Sequence, residues 1–171
     1  MERSPSVPHM RYLRASIEGG FWKQYRDLVR EKTIPYQWMA LNDEIPGAPK
    51  SHSLENFRIA AGRSSGQYDG MVFQDSDLYK WLEAAGHMLQ DEDPGNTKIR
   101  QWADQAIELI AAAQQPDGYL NTYFIVKDPG RRWKNLREAH ELYCAGHLIE
   151  ASVAVSRATR NPTILEVARR L

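Results

Sequence analysis

Apolar residues recur along most of this chain at offsets of three, four and seven, the spacing that gathers side chains on one face of an α-helix. From Phe21 the set Phe21, Trp22, Tyr25, Leu28 and Val29 follows it. Pro35 should interrupt or kink this first helix, because it has no amide hydrogen and its ring crowds the preceding turn. Tyr36-Gln37-Trp38-Met39 then continues it or opens a second helix. Residues 43–74, rich in Gly, Pro and Ser, read mostly as loop, with a short helical piece around Leu54–Ala61. Asp75-Ser76-Asp77 supplies N-cap candidates for a helix over 75–90 with the stripe Leu78, Trp81, Leu82, Ala85 and Leu89. Over 97–114, Ile99, Trp102, Ala103, Ala106, Ile107 and Ile110 make a second stripe, with charged and amide residues opposite. Such an amphipathic helix covers a surface. Gln115-Pro116-Asp117-Gly118 is a turn, Pro presetting φ and Gly accepting the left-handed position. A short β-prone run, Tyr119–Val126, completes this turn segment near 115–126. Asn161-Pro162 opens a last helix traced by Ile164, Leu165, Ala168 and Leu171.

The segment 136–158 is different. It is apolar almost all the way round, so its helix should be buried, yet it carries His140, Glu141, Cys144, His147 and Glu150. Helical spacing puts residues 140, 143, 144 and 147 on one face, and a buried helix with one titratable face lines a cavity. It also has an echo 60 residues upstream: Leu82-Glu83-Ala84-Ala85-Gly86-His87 matches Leu142-Tyr143-Cys144-Ala145-Gly146-His147 at Leu, Ala, Gly and His. A repeated supersecondary unit explains this. A glycine inside a helix costs about 1 kcal/mol relative to alanine, which the close approach of a neighbouring helix would offset.

Buried helices alternating with an amphipathic one predict an all-α fold, part of an (α/α)6 toroid of helical hairpins. At ~50–60 residues per hairpin the chain holds roughly two and a half of them. Residues 1–16 read as an extended N-terminal lead-in and 17–171 as the N-terminal part of a toroid domain. The final stripe stops at Leu171 without a glycine or polar tail, which suggests truncation. The open edge of such a ring should favour self-association.

Charge is balanced, 22 basic against 22 acidic residues, so nothing steers the chain to nucleic acid or to an anionic membrane. Its single cysteine excludes an internal disulfide framework, and Met1–Pro8 has no apolar segment of the signal-peptide kind. No window approaches the ~18 apolar residues of a membrane span. These features point to a soluble, cytoplasmic protein.

Several groups could carry chemistry. His140, Cys144 and His147 at i, i+4 and i+7 resemble a metal-ligand set; the plainer reading is one pocket-facing histidine beside a packed cysteine and histidine. Glu141 suits a buried hydrogen bond or an ion pair, with Arg137 one turn back, more than acid/base work. Asp75 and Asp77 fit helix capping and dipole pairing. Trp81, Trp102 and His87 fit core positions, and Glu150 a structural role. Tyr119 and Tyr123, after the turn, are candidates for a sugar-stacking platform.

Four motifs occur in order: Asn56-Phe57 with Ala60-Ala61-Gly62; Asp75-Ser76-Asp77-Leu78-Tyr79-Lys80-Trp81-Leu82-Glu83-Ala84; Gln115-Pro116-Asp117-Gly118-Tyr119-Leu120-Asn121-Thr122-Tyr123; and His140-Glu141-Leu142-Tyr143-Cys144-Ala145-Gly146-His147. Together they resemble the N-terminal part of the β-L-arabinofuranosidase family, glycoside hydrolase family 127. The resemblance implies an (α/α)6 catalytic barrel followed by β-sandwich domains. It implies release of L-arabinofuranose from oligosaccharides or glycoproteins with retention, through a zinc-held cysteine thiolate and a glutamate acid/base. It further implies His140 and Gln37 as hydrogen-bonding partners of sugar hydroxyls. Zinc belongs to the full-length family enzyme. The cysteines and glutamate it needs come from later sequence, and Cys144 sits in the wrong motif to be the nucleophile. On this reading the present chain holds no catalytic residue, binds no metal, contacts an arabinose-containing oligosaccharide and is inactive alone. Two alternatives remain: a stand-alone helical interaction module, and another α/α-toroid carbohydrate enzyme such as a lyase or epimerase.

Overall fold

A computed structural model describes residues 17–91 and 93–171. The expected lead-in over 1–16 lies outside the described residues. Within them the fold is all-helical, with no strand.

The first helix runs further than Pro35 suggests. α1 (Gly20–Leu28) passes into a π-helical turn, Val29–Thr33, and straight on into α2 (Ile34–Leu41). Pro35 cannot donate to the ladder and its ring crowds the carbonyl one turn earlier. The ladder widens just before it instead of breaking, a usual way for a helix to absorb such a defect. α2 buries Ile34, Trp38 and Leu41. The Trp81 indole N–H donates to the Ile34 carbonyl at 3.0 Å, and Trp38 packs on both Trp81 and Trp102, with ring centroids 4.6 and 5.8 Å away. α1 buries nothing; its Arg26 pairs with Asp91 at 2.8 Å, and Arg30 of the π-helical turn pairs with Asp93.

α3 (Ser53–Ala60) lies where the loop region promised one helical piece. Its buried Asn56 holds the loop that follows, donating to the Asp69 carbonyl (2.7 Å) and accepting from the Asp69 N–H (3.2 Å). α4 (Asp75–Met88) and α5 (Thr97–Ala113) follow the two apolar stripes, and α5 buries Ile99, Ala103, Ala106, Ile107 and Ile110.

The run 119–126 is not extended. α6 (Thr122–Val126) is a short helix, with the Asn121 side chain accepting from the Phe124 N–H at 3.3 Å. A β-branched and aromatic run fits a strand only where a partner strand exists. Here a helical cap and a carboxylate, Asp75, take the first amide hydrogens instead: the Thr122 N–H donates to Asp75 at 2.7 Å, and so does the Thr122 hydroxyl. Asp75 is thus a long-range anchor and no cap of its own helix. Asp77 accepts from the Gln74 side chain (2.9 Å).

α7 (Glu141–Thr159) starts five residues later than the pattern implies, because Trp133 and His140 take left-handed backbone conformations, φ 60° and 55°. It is also less buried than its composition suggests: Leu142, Tyr143 and Ile149 are exposed while Cys144, Leu148, Ala151 and Val155 face the core. α8 (Thr163–Arg170) inserts Ile164 and Val167, its first N–H donating to the Asn161 side chain at 2.9 Å.

α4 and α7, the two copies of the internal match, pack directly on one another. A Cβ added to Gly86 would lie 2.7 Å from the Val155 nitrogen and 2.9 Å from the Ala154 carbonyl carbon, whereas one added to Gly146 would meet nothing. The close-approach reason for a mid-helix glycine therefore holds for Gly86 and does not for Gly146. Opposite signs follow for two equivalent-looking substitutions. Gly86→Ala should destabilise the chain by about 1–3 kcal/mol through overpacking. Gly146→Ala should stabilise it by about 0.5–1 kcal/mol through helix propensity. Denaturant midpoints of the two variants check this; equal shifts would contradict the packing.

Candidate carbohydrate site

His140 stands at the N-terminal boundary of α7, in the left-handed conformation. Its Nδ1 lies 2.8 Å from the Glu138 carbonyl. A carbonyl can only accept, so Nδ1 carries the hydrogen in the neutral ring and Nε2 is left as an acceptor. The ring is held between Phe73 (centroids 5.2 Å apart) and Tyr143 (5.9 Å). Tyr143 is fixed in turn: the Lys80 ammonium donates to its hydroxyl at 2.6 Å, lies 5.0 Å from its ring centre, and also reaches the Ser76 hydroxyl at 3.3 Å.

Lys80 joins this group to a second one. With Gln37, Ser51, Asp77 and Trp81 it lines a cavity of about 400 Å³ between α2 and α4. Burial pushes the Asp77 carboxyl up while Lys80 pulls it down. Gln37 and His140, far apart in sequence, are thus linked through Lys80 and Tyr143. Sequence reasoning missed Lys80. It lies on the polar side of its helix, and only the packing of α4 on α7 brings it to Tyr143.

Glu141 is the base of the arrangement. It is buried and accepts from the Tyr119 hydroxyl and from the Trp133 N–H, at 3.0 and 2.9 Å to its two oxygens. A carboxylate in the first turn of a helix also suits the positive end of the dipole. Arg137 is not its partner, being 91 % exposed and paired with Glu138. Tyr119 offers no open ring: it is 5 % exposed, with Trp133 edge-on at 5.3 Å and the Arg132 guanidinium 4.3 Å from its centre. Burial and the Glu141 carboxylate drive its phenol well above the usual range. The Tyr123 ring is half-buried, edge-on to Tyr68 and Phe124 at 5.1 and 4.9 Å.

The three-residue metal set is not assembled. His140 Nδ1 is committed to Glu138, the Cys144 thiol faces the Phe73 carbonyl at 3.7 Å, and His147 faces Glu150 at 3.5 Å. His87 is not a core histidine. It is exposed, beside Glu83 at 3.7 Å.

A model of the β-L-arabinofuranosidase GH127 catalytic domain matches residues 16–171. The chain belongs to this family. It is 41 % identical over 176 aligned residues to the non-reducing end beta-L-arabinofuranosidase of Bifidobacterium longum subsp. longum, covering 93 % of this chain and 26 % of that protein. Among solved structures, Ara127N, a GH127 beta-L-arabinofuranosidase from Geobacillus stearothermophilus T6, superposes with a TM-score of 0.88 at 56 % identity, covering 92 % of this chain and 25 % of that one. A second GH127 beta-arabinofuranosidase gives 0.78 at 32 % identity, covering 91 % and 24 %. The chain therefore spans about a quarter of the length of the GH127 relatives it matches.

GH127 membership raises the question of zinc held by thiolate. The residues here do not fit that group. Cys144 is the one thiol, it is buried, and burial together with the nearby Asp75 carboxylate pushes it up to about 12. Thiolate is what binds metal and attacks carbon, and at neutral pH this sulfur is a thiol.

Proposed function

We propose that this chain forms one wall of the sugar pocket of a retaining β-L-arabinofuranosidase, within an (α/α)6 toroid whose zinc-thiolate centre and acid/base glutamate belong to other sequence. His140 is the principal contact and Gln37 a second, both hydrogen-bonding hydroxyls of a terminal arabinofuranose in an arabinose-containing oligosaccharide. Tyr119 serves behind the wall, holding Glu141. The observation that carries the reading is the fixed polarity of His140: with Nδ1 turned to Glu138, Nε2 is an acceptor suited to a sugar hydroxyl.

In the whole enzyme containing this chain, His140→Ala should lower kcat/KM on an aryl β-L-arabinofuranoside at least tenfold, with the melting temperature little changed. A hydrogen bond realised in the transition state and lost on truncation is worth about that much. Unchanged kinetics would remove His140 from the pocket. The isolated 171-residue chain should hydrolyse nothing.

One observation favours the second reading, a helical interaction module. α1 turns Phe21 and Trp22, each 67 % exposed, away from the core. Such a face, with exposed Leu142 and Ile149 on α7, is also where self-association would occur. A whole protein that lacked glycosidase activity would favour it.

A further inference from the structure

The internal Ala-Gly-His match is not used by the sugar wall. Its packing has a chemical consequence. Because Gly86 lets α4 and α7 approach closely, side chains beside the contact converge. Glu83 from α4 and His147 and Glu150 from α7 bring a carboxylate oxygen, an imidazole nitrogen and a second carboxylate oxygen within 4.8 Å of one another.

The decisive atom is His147 Nδ1. In a side chain 23 % exposed overall this atom is shielded from solvent and makes no hydrogen bond, although the carboxylate of the exposed Glu150 is 3.5 Å away. That distance allows an ion pair, but the alignment is not that of a hydrogen bond. An unpartnered buried ring nitrogen is costly, and native structures usually satisfy such an atom with a proton acceptor, a water or a metal. The ring is also pre-oriented. Tyr143 stands edge-on to it, centroids 4.6 Å apart, and Lys80 holds Tyr143. Exposed His87 stays outside the cluster, its Nε2 lying 3.7 Å from the Glu83 carboxylate.

We propose that Glu83, His147 and Glu150 form a binding site for one divalent transition-metal ion of the zinc kind, tying α4 to α7. The donor set decides the class of ion. One imidazole and two carboxylates suit zinc and its neighbours, whereas calcium and magnesium take oxygen ligands. Two glutamates also supply the charge to neutralise a dication. The remaining position falls to water. The site contains no sulfur, so it is distinct from a zinc-thiolate centre and does not depend on the glycosidase reading.

The test uses the chain stripped of metal and titrated with Zn2+ in a calorimeter, then with Co2+ in the visible region. One Zn2+ per chain is expected. Glu83→Gln and His147→Asn should each weaken Kd at least tenfold with the far-ultraviolet circular dichroism unchanged, while Cys144→Ser leaves Kd as it was. Co2+ should give d–d bands stronger than those of the aqua ion, with a hyperfine-shifted imidazole proton in the NMR spectrum of the unaltered chain. That last readout stands even if a variant fails to fold. Absence of stoichiometric uptake, uptake abolished by Cys144→Ser, or wild-type Kd in both ligand variants would overturn the proposal.

Discussion

Gly118→Ala should cost about 3–5 kcal/mol, enough to unfold a large fraction of a marginally stable chain. Two separate penalties meet at this position. Its φ is 91°, in the region that side chains other than glycine's rarely adopt, and a non-glycine residue there costs about 1–3 kcal/mol. A Cβ would also lie 1.9 Å from the Arg170 carbonyl oxygen and 2.9 Å from its carbon. Those are backbone atoms of α8 and cannot rotate aside, so overpacking adds a further 1–3 kcal/mol or so. The local network leaves no slack. The Gly118 N–H donates to the Gln115 carbonyl (2.8 Å), and the Gln114 side chain donates to both the Gly118 and Val167 carbonyls (2.8 and 2.9 Å). The measurement is the denaturant midpoint, with Gly130→Ala as control because nothing surrounds Gly130 and its φ is not positive. A loss under about 1 kcal/mol, below the αL penalty alone, would mean that the turn and α8 are not docked this way.

What the sequence revealed and what it hid follow from how local each interaction is. α4, α5 and α8 each bury one apolar stripe, and a stripe is written in consecutive residues. The same holds for the Asp117-Gly118 turn. The start of α7 was not legible, because it is set by Glu141 reaching back to the Trp133 N–H and by the left-handed conformation of Trp133 and His140, which for a bulky tryptophan is an outlier that no local pattern announces. α6 was misread as β-prone because its stabilising partner, Asp75, lies 47 residues away. Gly86 and Gly146 sit in matching motifs, yet only the surroundings tell which one a neighbouring backbone requires. His140 and Gln37 came from a family resemblance. The groups that orient them or share their cavity, Glu138, Tyr143 and Lys80, became visible only with α4 packed on α7.

The second large effect concerns Asp75 and acidity. Burial lifts its carboxyl from 3.8 to about 6, against the pull of the two Thr122 donors and with a further push from Asp77. The folded state therefore holds a proton that the unfolded chain releases between about pH 4 and 6. Stability from this group is complete below the unfolded value and declines as pH rises through that window. At 1.36 kcal/mol per unit the decline is about 3 kcal/mol. Asp75→Asn isolates it. An amide oxygen can accept the Thr122 N–H while the amide nitrogen donates to the Thr122 hydroxyl, so the junction survives without a charge to bury. The stability difference, variant minus wild type, should rise by about 2 kcal/mol between pH 4 and 6.5; a flat difference would show that Asp75 stays ionised in the folded chain. Asp75→Ala should behave differently. It strands the Thr122 N–H in the interior at a cost of about 1–3 kcal/mol, and that loss persists at pH 4. The consequence reaches the sugar wall, because Thr122 anchors the segment that carries Tyr119, Tyr119 holds Glu141, and Glu141 sets the helix start on which His140 is poised. Removing Asp75 should thus loosen His140 from some distance, whereas asparagine should leave it in place.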